Sequence, residues 1–297
     1  MTERTAAGRQ DGRAAGPSTA VVVATYNWPW ALELVLWGLA AQGDRAFRVI
    51  VADDGSGPET RALLERMRAE SGLDILHVWH DDQGFRKSEI LNRAIAAADE
   101  EYLIFTDGDV IPRDDFVAVH KRLAKRGTYL AGMTVRLPQA LSERLTPDDV
   151  RSGRVTDLGW LRSQGLRPGR HALRFSRNYR WNAFLDRITT SKRRWRGGNA
   201  STFREHLLAV NGFDNGMGYG GQDAEIGERL DNLGLRHQRV RFRAMTVHLW
   251  HERPWRDEAI VVENGRYREQ VRAEKIVRTP RGIAELTGGR PDGRTGG

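Results

Sequence analysis

Several short polar motifs could hold a metal ion and a phosphate-bearing ligand, because each places oxygen-rich side chains directly after an apolar segment. The N-terminal half contains three of them: Thr25-Tyr26-Asn27, Asp53-Asp54-Gly55-Ser56 and Asp107-Gly108-Asp109. A carboxylate at the end of a buried strand is costly unless a cation or a hydrogen-bond donor meets it. Hard oxygen ligands such as Asp107 and Asp109 suit Mg²⁺ or Mn²⁺ bridging a diphosphate. Asp53 has the alternative role of an N-cap before a helix that starts at Pro58.

A second set of candidate residues lies in the C-terminal half. Glycines precede Asp223 in the segment 218–225 (GYGGQDAE), which opens a predicted helix over 223–233 and would let a substrate approach this carboxylate closely. Asp223 could instead cap that helix. His248 and His251 end a later apolar stretch, and a strand would place them on opposite faces. We therefore expect at most one of these two histidines to bind a metal.

The elements that must position these motifs follow from apolar β-branched runs that alternate with helical periodicity. The predicted strands are 20–25, 47–52, 73–79, 102–106 and 129–135, and the predicted helices of this half are 30–41, 58–70, 88–97 and 114–125. Strands that are apolar on both faces and joined by helices favour an α/β fold with a mostly parallel sheet flanked by helices. Ligands of such sheets bind at the carboxyl ends of the strands, where the motifs lie.

Composition excludes several classes of protein. The 297 residues contain no cysteine, which excludes disulfides, thiolate metal sites and a thiol nucleophile. Apolar runs stay well below the roughly 18 residues of a membrane span. Residues 1–18 have arginine and glycine where a signal peptide has an apolar stretch, so we expect a cytoplasmic chain.

The net charge of +8 is concentrated in one segment. Thirteen Lys or Arg between Arg151 and Arg196 face only two acidic residues, a local net charge of +11, while the rest of the chain sums to −3. Six aromatic residues accompany these cations. We expect this segment to serve an acceptor or to touch an anionic membrane peripherally, and we expect no nucleic acid partner; the alternative is a solvated surface excursion.

These patterns divide the chain into one domain with two tails. Residues 1–18 are polar and aperiodic and are expected to be disordered, as is the tail from Arg278. The single domain covers 19–260 and consists of a nucleotide-binding half (19–136), a basic aromatic insertion (137–195) and an acceptor or catalytic half (196–260). A C-terminal helix and a flexible tail make up 261–297.

Taken together, the motifs resemble those of family 2 glycosyltransferases with the GT-A fold, a Rossmann-like fold of nucleotide-diphospho-sugar transferases. The strand-end motifs at 25–27, 53–56 and 107–109 are similar to the family's first strand end, second strand end and metal motif. The segment 196–234 is similar to the C-terminal catalytic segment of β-1,4-galactosyltransferases and chondroitin-polymerase-like enzymes. The similarity covers about 20–254, and the insertion stays unmatched.

The resemblance implies a role for each candidate residue. The donor nucleotide would contact Thr25, Tyr26, Asp54, Arg86, Asp107, Gly197 and Gly198. A Mn²⁺ or Mg²⁺ ion would be held by Asp107 and Asp109 with His248 or His251. The acceptor would meet Tyr219, Gln222, Asp223 and Glu225, with Asp223 as the catalytic base. One departure is Gln222, where the family usually has glutamate.

The function implied is metal-dependent, inverting transfer of a sugar from a UDP-sugar to a hydroxyl acceptor, a saccharide or glycolipid of a bacterial surface polysaccharide. Inversion needs one base beside the acceptor hydroxyl and one cation on the leaving diphosphate. A nucleotidyltransferase that makes nucleotide sugars is the first alternative, but it would need a glycine-rich phosphate loop after the first strand. The second alternative is a non-catalytic carbohydrate- or nucleic-acid-binding protein. Such a protein would have no use for Asp107, Asp109 and Asp223.

Overall fold

The computed structural model describes residues 16–167, 169–190, 194–252 and 257–287. Its strands are β1 (Thr19–Thr25), β2 (Arg48–Asp53), β3 (Ile75–Trp79), β4 (Tyr102–Asp107), β5 (Val110–Pro112), β6 (Thr128–Ala131), β7 (Thr134–Arg136), β8 (Ala200–Phe203), β9 (Arg236–Arg239) and β10 (Thr246–His248). Seven of them form one sheet in the order β3-β2-β1-β4-β8-β6-β9, and three form a small sheet in the order β5-β10-β7.

The α-helices are α1 (Pro29–Ala40), α2 (Pro58–Ser71), α3 (Lys87–Ala97), α4 (Phe116–Leu123), α5 (Gln139–Ser142), α6 (Pro147–Arg151), α7 (Leu158–Ser163), α8 (Tyr179–Ile188), α9 (Arg204–Ala209), α10 (Gln222–Asn232), α11 (Glu258–Ala273) and α12 (Ile283–Thr287). Among the described residues, no helix combines the length and the apolar character that crossing a membrane requires.

Helices cover both faces of the large sheet, which confirms the predicted α/β fold. Successive residues of β1 point to opposite faces, so Val21 packs with α1 and α2 in one core while Val22 packs with α3 in the other. Both side chains are fully buried. The β1, β2, β3 and β4 strands pair in parallel, as continuous apolar runs predict.

Strand register brings the polar motifs to one edge of the sheet. Thr25 pairs with Asp53 across β1 and β2, and Ala24 pairs with Asp107 across β1 and β4. The β8 strand lies antiparallel between β4 and β6, so its beginning rather than its end lies at this edge. Residues 197–199, which precede β8, therefore come to the same place as Asp107.

The strand predicted over 129–135 is two strands in two sheets. β6 belongs to the large sheet and β7 to the small one, and Gly132 lies between them. A side chain at Gly132 would overlap Asn199, whose carbonyl accepts a hydrogen bond from the Gly132 N–H at 2.8 Å. The chain thus leaves the large sheet where this close approach requires glycine.

The tail predicted to be disordered from Arg278 is ordered as far as residue 287. Asp214 is fully buried and accepts hydrogen bonds from Thr279 Oγ1 at 2.7 Å and from Tyr267 Oη at 2.9 Å. Arg281 Nε lies 2.9 Å from the same carboxylate. Sequence composition misses this segment because its anchors are polar. The predictions of disorder for 1–15 and 288–297 lie outside the described residues.

Candidate active site

A cavity of about 1060 Å³ opens at the carboxyl ends of β1, β2 and β4. Most of the site residues predicted from the sequence line it: Thr25, Tyr26, Asp54, Asp107, Asp109, Gly197, Gly198, Tyr219, Gln222, Asp223, His248 and His251. Arg86 and Glu225 do not. The cavity is large enough for a nucleotide sugar together with part of an acceptor.

Asp54 forms one end of the cavity and is held in place by its neighbours. Its Oδ1 lies 2.8 Å from His80 Nε2, and its Oδ2 accepts a hydrogen bond from the backbone N–H of Arg86 at 3.1 Å. Burial raises the pKa of the Asp54 carboxyl, although these two partners oppose the shift. Asp53, by contrast, is fully buried and accepts a hydrogen bond from the Ser56 N–H in the turn before α2. It does not cap that helix, because the N-cap residue is Gly57.

Arg86 contributes its backbone to this end of the cavity rather than its guanidinium. That guanidinium donates to the carbonyl of Asp81 and pairs with Glu89 at 3.2 Å. The expectation that the Arg86 side chain faces the nucleotide is therefore wrong. The adjacent cation, Lys87, is the first residue of α3 and does line the cavity.

Lys87 and Asp107 form an ion pair, with Nζ 2.6 Å from Oδ1. Burial disfavours the charged ammonium, but Asp107, Asp223 and Asp109 outweigh that effect and raise the pKa of Lys87. Lys87 therefore stays charged beside the carboxylates of Asp107 and Asp223.

Asp109, His248 and His251 converge in a group that could hold a metal ion. Asp109 Oδ2 lies 3.6 Å from His248 Nε2 and 3.3 Å from His251 Nε2. The prediction that the two histidines face apart is wrong, because β10 ends at His248 and His251 lies outside the strand. The register of His248 with Val110 brings β10 beside Asp109.

The chemistry of this group fits a divalent metal. Asp109 Oδ1 is buried and has no hydrogen-bond partner among the described residues, which leaves this oxygen available to a ligand. Burial raises the pKa of the Asp109 carboxyl, with the imidazoles opposing the shift. One carboxylate and two imidazoles are a donor set that suits a divalent first-row transition metal. Asp107 lies outside this group because its carboxylate is turned to Lys87, so the geometry does not support Asp107 as a ligand.

Glycines before β8 allow the carboxylates to approach the backbone. A Cβ at Gly197 would lie 2.9 Å from Asp223 Oδ1, and a Cβ at Gly198 would lie 3.0 Å from Asp107 Oδ2. Both distances are shorter than ordinary carbon–oxygen contacts. The cavity wall between Asp107 and Asp223 is thus made of bare backbone.

Asp223 points into the cavity from the first turn of α10 and does not cap this helix. The N-cap residue is Gly221, in the left-handed region at φ 108°. Asp223 Oδ1 is buried without a hydrogen-bond partner among the described residues. Burial raises the pKa of this carboxyl, with Asp107 adding to the shift and Lys87 and the Gly197 N–H opposing it. A carboxylate in this state is a stronger base than an exposed aspartate.

The other predicted acceptor residues divide into two groups. Tyr219 and Gln222 line the cavity, and Gln222 Oε1 accepts a hydrogen bond from the Gly220 N–H at 2.9 Å. Glu225 is fully buried on the opposite side of α10, where it forms a two-bond ion pair with Arg229. The expectation that Glu225 meets the acceptor is therefore wrong, because Glu225 is buried against Arg229 of the same helix. Arg229 in turn donates to the carbonyls of Val210 and Gly212 and so joins α10 to the core.

Several residues of the cavity wall were not predicted from the sequence. Phe85 contacts the ring of Tyr219 edge to face, with centroids 5.5 Å apart, and Trp28 contacts His251 at 6.0 Å. Arg268 reaches the cavity from α11. The remaining cations of the wall are Arg136, Arg194 and Arg196. For these wall residues, the only feature that the sequence indicated was the basic segment that includes Arg194 and Arg196.

Comparison with known families gives two matches that together cover most of the chain. Residues 20–180 match the family described as "Glycosyl transferase family 2". Residues 184–252 match the family described as "N-terminal domain of galactosyltransferase". The second match includes Gly197, Gly198 and Asp223.

Characterised relatives are transferases and synthases of sugars. A validoxylamine A glucosyltransferase of Streptomyces hygroscopicus subsp. limoneus is 30% identical over 233 residues, which cover 74% of this chain and 49% of that protein. A chondroitin synthase of Escherichia coli is 26% identical over 222 residues, covering 72% of this chain and 32% of the synthase. The chain thus spans about half the length of the glucosyltransferase.

Solved structures confirm the GT-A fold. A mannosyltransferase from Pyrobaculum calidifontis, in complex with GDP-Man and Mn²⁺, superposes with a TM-score of 0.53 at 18% identity, covering 94% of this chain and 66% of that one. S. aureus TarS 1-349 in complex with UDP-GlcNAc gives a TM-score of 0.55 at 16% identity, covering 90% and 69%.

Proposed function

The chain belongs to glycosyltransferase family 2 and is a transferase enzyme, and from this premise we propose that it moves a sugar from a UDP-sugar to an acceptor hydroxyl with inversion at the anomeric carbon. The observation that carries the proposal is the state of Asp223. Its carboxylate faces the cavity, lies against the bare backbone of Gly197 and has one oxygen without a hydrogen-bond partner in the described part of the chain. A group in this state is suited to take a proton from a bound hydroxyl.

The nucleotide would lie over the ends of β1 and β2. Asp54 keeps lone pairs for the uracil imide N–H, because each of its oxygens has one partner in the chain. Thr25 and Tyr26 line the same side. A structural neighbour that holds UDP-GlcNAc supports a uridine nucleotide, while another that holds GDP-Man shows that the fold also accepts guanosine.

The diphosphate would lie between Lys87 and the group formed by Asp109, His248 and His251. A divalent cation held by that group would counter the charge that develops on the leaving diphosphate. Lys87 adds a fixed positive charge beside Asp107, which would itself orient the ribose. Gly198 lets the donor approach the backbone.

In the proposed reaction the oxygen of the acceptor hydroxyl forms a bond to the anomeric carbon, and Asp223 accepts the proton of that hydroxyl. The bond from that carbon to the diphosphate oxygen breaks, and UDP leaves with the electron pair. No second carboxylic acid is required, because the leaving group is already stabilised as an anion. Single displacement inverts the configuration.

We propose that the acceptor is a saccharide or glycolipid of a bacterial surface polysaccharide, held by Tyr219 and Gln222. The ring of Tyr219 offers a face for a sugar, and Arg194, Arg196 and Arg268 give this part of the wall a positive charge. A cytoplasmic enzyme that meets a lipid-linked acceptor at the inner membrane face is consistent with these contacts.

Incubation with a panel of UDP-sugars and Mn²⁺, with release of UDP as the readout, tests the proposal. We expect slow hydrolysis of one donor in the wild type and its loss in Asp223→Asn. Production of pyrophosphate from a nucleoside triphosphate and a sugar phosphate would show a nucleotidyltransferase instead.

A further inference from the structure

Helix α8 leaves an apolar stripe exposed on the surface of the insertion. Trp181, Phe184 and Ile188 are 45%, 49% and 55% exposed, and their spacing of three and four residues places them on one side of the helix. The rings of Trp181 and Phe184 are stacked, with centroids 5.6 Å apart. Apolar side chains of this size are ordinarily buried, so the stripe needs an explanation.

The orientation of α8 is fixed by its other face. Asp186 is buried, accepts a hydrogen bond from the Phe242 N–H at 3.0 Å and pairs with Arg243 at 2.7 Å. Leu185 and Asn182 are buried beside it. Because α8 is held on this side by an ion pair and by packing, the stripe is presented outward by the fold.

The charged residues of the segment 169–190 are almost all positive. Arg180 and Arg187 are exposed on α8, whereas Arg177, just before it, is exposed but paired with Asp114 at 2.9 Å. The only acidic residue in 169–190 is the buried Asp186, so the exposed charges of this segment are cationic. Lys192 and Arg193 follow in the sequence. An aromatic stripe bordered by arginines is the composition of helices that lie in a membrane interface.

From these contacts we propose that the α8 surface (Trp181, Phe184 and Ile188 with Arg180 and Arg187) docks on an anionic phospholipid bilayer. The aromatic rings would enter the headgroup region while the arginines meet lipid phosphates. A stable protein partner fits less well, because such interfaces use about 20–30 residues a side. The surface also adjoins the cavity along the chain, since Arg194 and Arg196 line that cavity.

Vesicle co-sedimentation without any nucleotide tests the docking independently of sugar transfer. We expect the wild type to bind vesicles made of equal parts phosphatidylglycerol and phosphatidylcholine, to bind pure phosphatidylcholine vesicles far less, and to lose binding at high salt. Arg180→Gln with Arg187→Gln should lower the partition coefficient about 30-fold, and Trp181→Ser with Phe184→Ser about tenfold.

Matched controls remove the same side-chain types elsewhere. Leu208→Ser with Val262→Ser removes exposed apolar groups, and Arg236→Gln with Arg266→Gln removes exposed cations, so both pairs should bind anionic vesicles like the wild type. Circular dichroism checks that all variants are folded. Absence of wild-type binding at low salt, or equal losses in the control pairs, would overturn the proposal. So would a dimer that Trp181→Ser dissociates while vesicle binding stays unchanged. UDP release in vesicle-free solution reports separately on the proposed function.

Discussion

The ammonium nitrogen of Lys87 lies 2.6 Å from Asp107 Oδ1, and this contact joins the first residue of α3 to the last residue of β4. The pair places a permanent cation on the cavity wall beside the glycines that precede β8. Arg86, the neighbouring cation, is turned away to Asp81 and Glu89. Donor phosphates are therefore expected to depend on one of these adjacent residues and not on the other.

Lys87→Met is expected to weaken binding of UDP by about 10- to 100-fold, because it removes one charge-assisted hydrogen bond. Arg86→Met is the matched control and should change UDP affinity little, since it keeps the backbone N–H that Asp54 accepts from. Isothermal titration calorimetry with UDP and Mn²⁺ measures both. The opposite order of effects would return the phosphate contact to Arg86.

Asp223→Asn should lower turnover by about 10²- to 10⁴-fold and leave UDP affinity unchanged, because the amide keeps the shape of the side chain but cannot take a proton. Steady-state release of UDP in the presence of acceptor gives the rate, and calorimetry gives the affinity. Turnover close to that of the wild type would exclude Asp223 as the base.

Gly197→Ala should also lower turnover, by roughly 10²-fold, because its Cβ would fall 2.9 Å from Asp223 Oδ1 and displace that carboxylate. Gly43→Ala is a control in which the new methyl group meets nothing closer than 3.7 Å. If both variants turned over like the wild type with unchanged thermal stability, the backbone at Gly197 would have no part in positioning the base.

Asp109→Ala should remove the metal dependence of UDP binding, because it deletes the carboxylate of the Asp109, His248 and His251 group. Calorimetry with Mn²⁺ and with a chelator compares the two states. Asp81→Asn, at an exposed position, is the control. Should UDP binding by Asp109→Ala still require Mn²⁺, the metal would have to be held elsewhere.

Asp214 predicts a pH dependence of stability. Burial opposes its ionisation, but hydrogen bonds from Thr279, the Gly216 N–H and Tyr267 outweigh burial and lower the pKa of this carboxyl. A carboxyl whose pKa is lower when folded stabilises the protein above its unfolded pKa of about 3.9, and that stability is lost as the pH falls towards the folded pKa. Urea unfolding should therefore show a large difference between wild type and Asp214→Asn at pH 7 that shrinks below about pH 4. A difference independent of pH would mean that charge on Asp214 is unimportant.

Glu225→Gln should act on stability rather than on transfer, costing about 3 kcal/mol of unfolding free energy because it leaves Arg229 buried without its counter-ion. Thermal unfolding and the acceptor's KM measured on the folded variant separate the two effects. A raised KM with an unchanged melting temperature would restore the acceptor role that the sequence suggested.

The sequence predicts where the strands end better than it predicts the directions of single side chains. Asp54, Asp107 and Asp109 follow apolar runs whose parallel pairing fixes where they lie. Lys87 was missed because it lies just before the helix predicted over 88–97, and helix boundaries are uncertain by one or two residues when read from periodicity. Glu225 was wrongly expected to meet the acceptor because its position near Asp223 in the sequence does not show which side of α10 it occupies. It lies on the buried side, where Arg229, four residues further along, is its partner.

The histidine pair shows a second limit. Period-two reasoning holds only inside a strand, and β10 ends at His248. Where the chain goes after that depends on the small sheet, which is made of segments only three residues long. Strands of this length are too short for a hydrophobic pattern to reveal them. The sequence therefore could not predict that His248 and His251 both approach Asp109.

The antiparallel direction of β8 places both ends of the insertion beside the cavity. Because β8 begins at the cavity, the chain leaves this edge after Arg136 and returns to it at Arg194, so both junctions of the insertion lie in the cavity wall. Lengthening an exposed loop between them costs mainly loop-closure entropy, which grows slowly with length. A chimera must keep the buried face that includes Leu137 and Phe175 in the core. Within that constraint, the cavity wall at these junctions can be altered without changing the strands that carry Asp53 and Asp107.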